Sequence, residues 1–147
     1  MVEAVNDCTL ENFGINGHDD PYFFLPETNK YGYKNPKITS TSIYDEDAYA
    51  ILFFFMRKGQ VMPLHDHPEM SVFTRVLTGR LRVRALDKIN KDWHSHKNEM
   101  SDYVYFQNSH QLNFEAIVKT DEILEENDTK LTLPYENNIH SFEAVED

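Results

Sequence analysis

The sequence predicts a single all-β domain of the sandwich or barrel type. Seven short β-prone runs occupy residues 38–44, 49–57, 72–77, 81–86, 103–106, 130–133 and 139–145, and turn signals separate several of them, at 45–47, 58–59 and 78–79. Many short strands at such spacing are typical of sandwiches and barrels. Helix is almost absent from the prediction, and only residues 121–126 are expected to form one or two helical turns.

The chain divides by composition into a leader and a domain. Residues 1–36 are rich in Asn, Gly, Asp and Pro and are expected to form an irregular leader that wraps the domain. Residues 37–147 carry the β-prone runs, and the polar, unpatterned stretch 87–100 is expected to be an inserted loop. With 147 residues the chain has the size of one domain.

The composition disfavours several classes of partner. The formal net charge is −11, so no excess of basic residues exists to neutralise nucleic acid or an anionic membrane. No apolar run reaches the roughly 18 residues of a membrane span. The N-terminus lacks the features of a signal peptide, and Cys8 is the single cysteine. We therefore expect a cytoplasmic protein, with the nucleus as an alternative.

One local cluster of positive charge departs from this acidic balance. Arg80, Arg82 and Arg84 alternate with the apolar residues at 81, 83 and 85, which places the arginines on one face of a strand. The favoured interpretation is the solvated outer face of a half-buried strand. The alternative is a docking surface for an acidic segment.

The residues around His65 and His67 form the most informative motif. Histidines at i and i+2 of a β-strand point out of the same face, and imidazole is the commonest side-chain metal ligand. Five residues separate Gly59 from His65, and six separate Val72 from Gly79. This is the spacing of the metal motif of cupins, except that Val72 stands at the glutamate position. The sequence thus predicts a cupin barrel, that is, a double-stranded β-helix or jelly roll.

A third metal ligand is expected to be His140, in the segment Asn-Ile-His at 138–140. Glu69 lies too close to His67 to replace the missing glutamate easily, because Pro68 is expected to bend the chain. The expected centre therefore consists of three neutral histidines. Three ligands leave about three positions of a six-coordinate ion open. The ion would keep its full positive charge, favour an anionic ligand and deprotonate a coordinated thiol.

Three segments together resemble the cysteamine dioxygenase and plant cysteine oxidase family. They are residues 62–70 (Met-Pro-Leu-His-Asp-His-Pro-Glu-Met), 76–83 and 138–145. The family consists of cupin thiol dioxygenases. The resemblance implies that His65, His67 and His140 hold Fe(II) and that no catalytic residue beyond these ligands is needed. It further implies that O2 oxidises cysteamine, or an N-terminal cysteine of a peptide or protein, to the sulfinic acid, with a role in oxygen sensing.

The chain departs from the family at two places. Glu69 stands where the family usually has glycine, and the chain ends seven residues after His140. The family continues there with further strands that carry an acidic residue and a tyrosine near the substrate. We therefore expect a fragment or truncated member, or a barrel incomplete at its C-terminus whose wall comes from the leader or another subunit. No substrate-binding residue is assigned.

Two alternative functions remain open. The first is a non-catalytic or truncated cupin that binds metal without turnover. The second is a metal-binding cupin that acts on a sugar or small acid, although the missing glutamate argues against it. His94 and His96 repeat the i, i+2 spacing without a strand pattern, so we expect them in a solvent-exposed loop. Asp66 is expected to face away from the metal.

Overall fold

β-strands make up most of the computed structural model, which describes residues 2–15, 26–88 and 116–146. The strands are β1 (Ile38–Glu46), β2 (Tyr49–Met56), β3 (Val61–His65), β4 (Val72–Arg75), β5 (Arg80–Lys88), β6 (Ala116–Leu124), β7 (Thr129–Thr132) and β8 (Ile139–Glu146). The described helical structure consists of α1 (Val2–Asn6) and a 3-10 turn at Glu11–Phe13. Neither helix has the length and hydrophobicity needed to cross a membrane.

All strand pairs in these ranges are antiparallel, which confirms the all-β cupin prediction. A four-stranded sheet has the order β3-β8-β5-β6, and the pairs β1-β2 and β4-β7 form two smaller sheets. Strand β8 lies between β3 and β5, so the end of the described chain pairs with its first half. This placement brings the segment around residue 140 beside the histidine motif. Pro63 is tolerated in β3 because β3 is an edge strand of this sheet.

The glycines of the motif occupy turns that require left-handed backbone. Gly59 has φ 75° and lies in the turn between β2 and β3, where its N–H donates to the Ala144 carbonyl at 2.7 Å. Gly79 has φ 72° and precedes β5. Glycine adopts positive φ without the steric cost of a side chain. The motif spacing therefore marks the bends on either side of β3 and β4.

One element type was predicted wrongly, since residues 121–124 belong to a strand and not to a helix. Strand β6 runs from Ala116 to Leu124 and pairs with β5 over its length, and a turn follows it. Four of the six residues at 121–126 are acidic and have low β-propensity, but pairing and packing override propensity in sheets. The other predicted strands coincide with observed ones, while residues 103–106 lie outside the described ranges.

The core lies on the inner face of the four-stranded sheet. Val83 is 1% exposed and forms a buried cluster with Val76 and Leu124, against which Leu81 and Phe142 pack. Alternation along β5 sends the arginines to the opposite face. The sheet thus separates an apolar inner side from a charged outer side.

The charged outer face favours the first interpretation of the arginines, because the acidic segments that meet them belong to this chain. Arg82 binds both carboxylate oxygens of Asp121 on β6, at 2.7 and 2.9 Å, and lies 3.6 Å from Glu143 on β8. The hydrogen bond from Arg82 holds the pKa of Asp121 below its usual value, and the charge of Arg84 adds to this shift. Arg80 pairs in the same way with Glu125 and Glu146.

The leader and the inserted loop remain predictions. The described part of the leader contacts the strands through Arg75 Nε, which donates to the Cys8 carbonyl at 2.9 Å, and through the rings of Phe13 and Phe53, 4.5 Å apart. Strand β5 continues through Lys88, so the first two residues of the predicted loop 87–100 are strand. The remainder of that loop lies outside the described residues.

The core assignment predicts the effect of shortening one side chain. Val83→Ala should lower the free energy of unfolding by about 2 kcal/mol, because it removes buried methyl groups and leaves a cavity. Val118→Ala on β6 is the matched control, since Val118 is 42% exposed, and it should cost less than about 1 kcal/mol. Urea unfolding measures both, and equal losses would contradict the assignment.

Candidate metal centre

The structure brings the three sequence-predicted histidines together. His65 is the last residue of β3, His140 is the second residue of β8, and His67 follows β3 by two residues. One ring nitrogen of each lies within 4.8 Å of the other two. Within the described ranges this group contains no carboxylate and no thiol. The arrangement can hold a metal ion.

Strand pairing explains why His65 and His140 meet. Their Cα atoms are direct partners in the β3-β8 ladder, and directly opposed residues project from the same face of a sheet. The two ring centroids lie 4.6 Å apart. On the other side of β8, His140 is paired with Ala85, whose small side chain is fully buried. A tight register therefore sets two of the three rings.

His67 reaches the cluster by a different route from the one that the sequence predicted. Strand β3 ends at His65, so the two histidines are not consecutive same-face residues of one strand. His67 instead begins a turn, in which the Met70 N–H donates to the His67 carbonyl at 3.1 Å. Its ring centroid lies 5.0 Å from that of His65 and 5.1 Å from that of His140.

A backbone carbonyl fixes the protonation pattern of the His65 ring. His65 Nδ1 lies 2.8 Å from the Pro63 carbonyl oxygen. A carbonyl only accepts, so Nδ1 carries the proton and the lone pair of the neutral ring is on Nε2. Hydrogen bonds of this kind from the second ring nitrogen are typical of metal-ligating histidines.

His140 carries the clearest sign of a metal-ligating role. The residue is 1% exposed, and its Nε2 is buried without a hydrogen-bond partner in the described part of the chain. Its ring also hydrogen-bonds to the Asn137 backbone, and Nδ1 must make this bond because Nε2 has no partner. Buried polar atoms are normally satisfied, so an unpaired nitrogen facing two other imidazoles fits a metal ligand. An all-imidazole set suits Fe, Zn, Cu or Ni.

Burial favours the neutral form of two of these rings. The pKa of His140 is lowered to about 4, chiefly by burial and then by the charges of His65, His67 and Lys130, while the bond to Asn137 acts in the opposite direction. Burial also lowers the pKa of His67, with His65 adding to the shift and Asp66 opposing it. Metal binding requires the neutral form of imidazole. Burial therefore favours the metal-binding form of His67 and His140.

Glu69 sits in a strained position of the turn that follows His67. The turn has Pro68 at its second position and Glu69 at its third, where φ is 61°. A positive φ at the third position is the mark of a type II turn, which favours glycine there. The family resemblance has glycine at this place, and the structure gives the physical reason. The Glu69 side chain is exposed and lies outside the ligand group.

The loop before β8 contains two residues whose role the sequence did not reveal. Leu133 and Glu136 exchange backbone hydrogen bonds of 3.1 and 3.3 Å around Pro134. The Asn137 N–H, at a residue with φ 57°, donates to Asp87 Oδ1 at 2.6 Å, which fixes the loop to β5. Asn138 then bonds to the backbone of His67. The signal was available in the pair Asn137-Asn138, since Asn tolerates left-handed backbone and caps peptide groups.

Two other predicted positions lie outside the cluster. Val72 pairs with Thr132 in the separate β4-β7 sheet. Asp66 lies between two members of the ligand group without belonging to it. His94 and His96 fall outside the described residues, so their placement in an exposed loop stays a prediction.

Comparison with known proteins finds one family and several relatives. The sequence model of the PCO_ADO family matches residues 5–147. Human 2-aminoethanethiol dioxygenase is 26% identical over 117 residues, which cover 76% of this chain and 43% of that protein. Plant cysteine oxidase 2 of Arabidopsis thaliana is 35% identical over 88 residues, or 59% of this chain and 30% of that protein. The chain thus spans less than half the length of these relatives.

The left-handed backbone at Glu69 predicts that the glycine variant is more stable than the alanine variant, which is the reverse of the usual order. Glu69→Gly should exceed Glu69→Ala in unfolding free energy by about 1 kcal/mol, because only glycine avoids the cost of left-handed backbone. Ser71 is exposed, follows the same turn and is not at positive φ, so it serves as the matched control. At Ser71 the order should be the usual one, with Ser71→Ala more stable than Ser71→Gly. A higher unfolding free energy for the alanine variant than for the glycine variant at both positions would refute the turn assignment.

The lowered pKa of His140 predicts a loss of stability in acid for the metal-free protein. As the pH falls through 6.5 the unfolded ring takes up a proton, whereas the folded ring stays neutral down to about 4. Protonation of the unfolded state therefore lowers the free energy of unfolding across this window, by about 3 kcal/mol at its acid end. The variant His140→Gln cannot take up this proton and should show a correspondingly smaller loss in urea unfolding from about pH 7 to about pH 4. Equal losses in both proteins would show that His140 is not the group responsible.

Proposed function

Because this chain belongs to the PCO_ADO family, we propose that it is an Fe(II)-dependent thiol dioxygenase. Its proposed substrates are cysteamine or the N-terminal cysteine of a peptide or protein, in keeping with the names of its relatives. The observation that carries the proposal is the group of three histidines without a carboxylate.

The proposed reaction converts R–SH and O2 into R–SO2H. Both oxygen atoms form bonds to sulfur, the sulfur is oxidised by four electrons, and O2 is reduced by the same number. No other reductant is needed. An Fe(II) ion held by the histidines would supply the redox chemistry and lower the pKa of a coordinated thiol.

The chain's own residues contribute orientation and charge. The Pro63 carbonyl and the Asn137 backbone hold protons on Nδ1 of His65 and His140, which directs both Nε2 lone pairs to the ion. Imidazole binds a metal in its neutral form, so three such ligands would leave the charge of the ion uncompensated and favour a thiolate ligand. In this proposal no side chain acts as a separate general base, since the ion itself acidifies the thiol.

The competing function is a cupin that binds metal without turnover. Glu69 favours it, because a charged side chain replaces glycine in the turn beside His67 and would alter access of the substrate to the centre. The dioxygenase is preferred because the three predicted ligands lie together and burial favours the neutral form of His140. A role in oxygen sensing and a cytoplasmic or nuclear location belong to the same proposal, since a free thiol and Fe(II) both require reducing surroundings.

Oxygen uptake after anaerobic loading with Fe(II) separates these functions. The wild type should bind one iron per chain and consume O2 with cysteamine or with a peptide that begins with cysteine. The product should gain the mass of two oxygen atoms. A peptide whose terminal cysteine is replaced by serine is the substrate control, and it should support no uptake.

Two variants test the ligand assignment. His140→Ala should lose iron and activity, whereas the double variant His94→Ala/His96→Ala, with the same histidine spacing, should keep both. Stoichiometric iron without oxygen uptake would leave the non-catalytic cupin as the function. Unchanged iron binding in His140→Ala would refute the ligand assignment itself.

A further inference from the structure

The backbone of His67 lies beyond the strand that should position it. The β3-β8 ladder ends at the pair His65 and His140, so His67 has no partner residue in that ladder. A ligand two residues past the end of a strand would ordinarily follow the motion of its turn. The placement of its ring 5.1 Å from that of His140 must therefore depend on another contact.

The side chain of Asn138 provides that contact. The His67 N–H donates to Asn138 Oδ1 at 2.8 Å, and Asn138 Nδ2 donates back to the His67 carbonyl at 3.0 Å. A side-chain amide offers the same donor and acceptor as a peptide group, so the two bonds replace a ladder pair. Nδ2 also donates to the Leu133 carbonyl at 3.0 Å, which ties the amide to its own loop.

We propose that Asn138 is the positioning residue that sets the distance between His67 and His140. It lies two residues before His140 and immediately before β8, so one short piece of backbone carries both a metal ligand and the side chain that holds a second ligand. The inference rests on the metal-binding part of the proposed function and not on turnover. Nothing in it requires Asn138 to touch the metal or the substrate.

The side chain at position 138 must offer both an acceptor and a donor to make these bonds. Aspartate has a similar shape and keeps an acceptor for the His67 N–H, but it replaces the donors to two carbonyls with a second acceptor. Leucine has a similar volume and can make none of these bonds. Loss of metal affinity should therefore be larger for Asn138→Leu than for Asn138→Asp. Partners that orient metal ligands typically change affinity by about 10–100-fold when they are removed.

Cu(II) binding tests the proposal without catalysis. Cu(II) binds such sites most tightly of the divalent first-row ions, so weakened sites stay measurable. Every protein in this experiment, including the reference with a wild-type centre, carries His94→Ala/His96→Ala to remove these two imidazoles. The wild-type centre should show three imidazole nitrogens in its electron paramagnetic resonance spectrum. Asn138→Leu should bind Cu(II) about 10–100-fold more weakly and show the two-imidazole spectrum of His67→Ala.

The matched control is Asn35→Leu, because Asn35 also donates through Nδ2 to a backbone carbonyl, that of Pro26 at 2.7 Å, and lies outside the ligand group. It should keep the wild-type spectrum and affinity. Urea unfolding of the metal-free proteins checks folding, and Asn138→Asp decides the question if the leucine variant does not fold. A three-imidazole spectrum with unchanged affinity in the folded Asn138 variants would overturn the proposal. Fewer than three imidazoles in the wild type would instead refute the metal centre.

Discussion

The antiparallel pairing of β3 with β8, in the register that opposes His65 to His140, is the constraint on which the rest of the structure depends. The side-chain period of a strand is two, so a slip of one residue would turn His140 to the outer face. The same strand is held on its other side by β5, where His140 meets Ala85. Two ladders thus fix one imidazole, and the metal site depends on sheet register more than on any single contact.

The same register organises the surface. Strand β8 presents His140, Phe142 and Ala144 to the interior, where the last is 4% exposed, and alternation sends Glu143 outward to Arg82. Arg82 in turn binds Asp121 of β6 across the sheet. Each exposed ion pair adds little stability alone. Together they stabilise the one alignment of β6, β5 and β8 that also buries His140.

Much of the fold and of the site followed from the sequence, and the failures share a cause. Glycine spacing located the turns, and the histidine motif with His140 located the cluster. Strand β6 was missed because four of the six residues at 121–126 are acidic, and such residues have low β-propensity. The Asn-Asn pair at 137–138 indicates a turn, but it does not indicate that Asn138 bonds to His67, 71 positions away. The turn position of His67 depends on this same long-range contact.

X-ray absorption of the Fe(II)-loaded protein, prepared without oxygen, counts the imidazole ligands directly. The proposed centre has three, contributed by His65, His67 and His140. This assignment predicts multiple scattering from three imidazoles, with the remaining ligands supplied by solvent and no sulfur in the absence of substrate. A centre with fewer than three imidazoles, or with a sulfur ligand from Cys8, would contradict it.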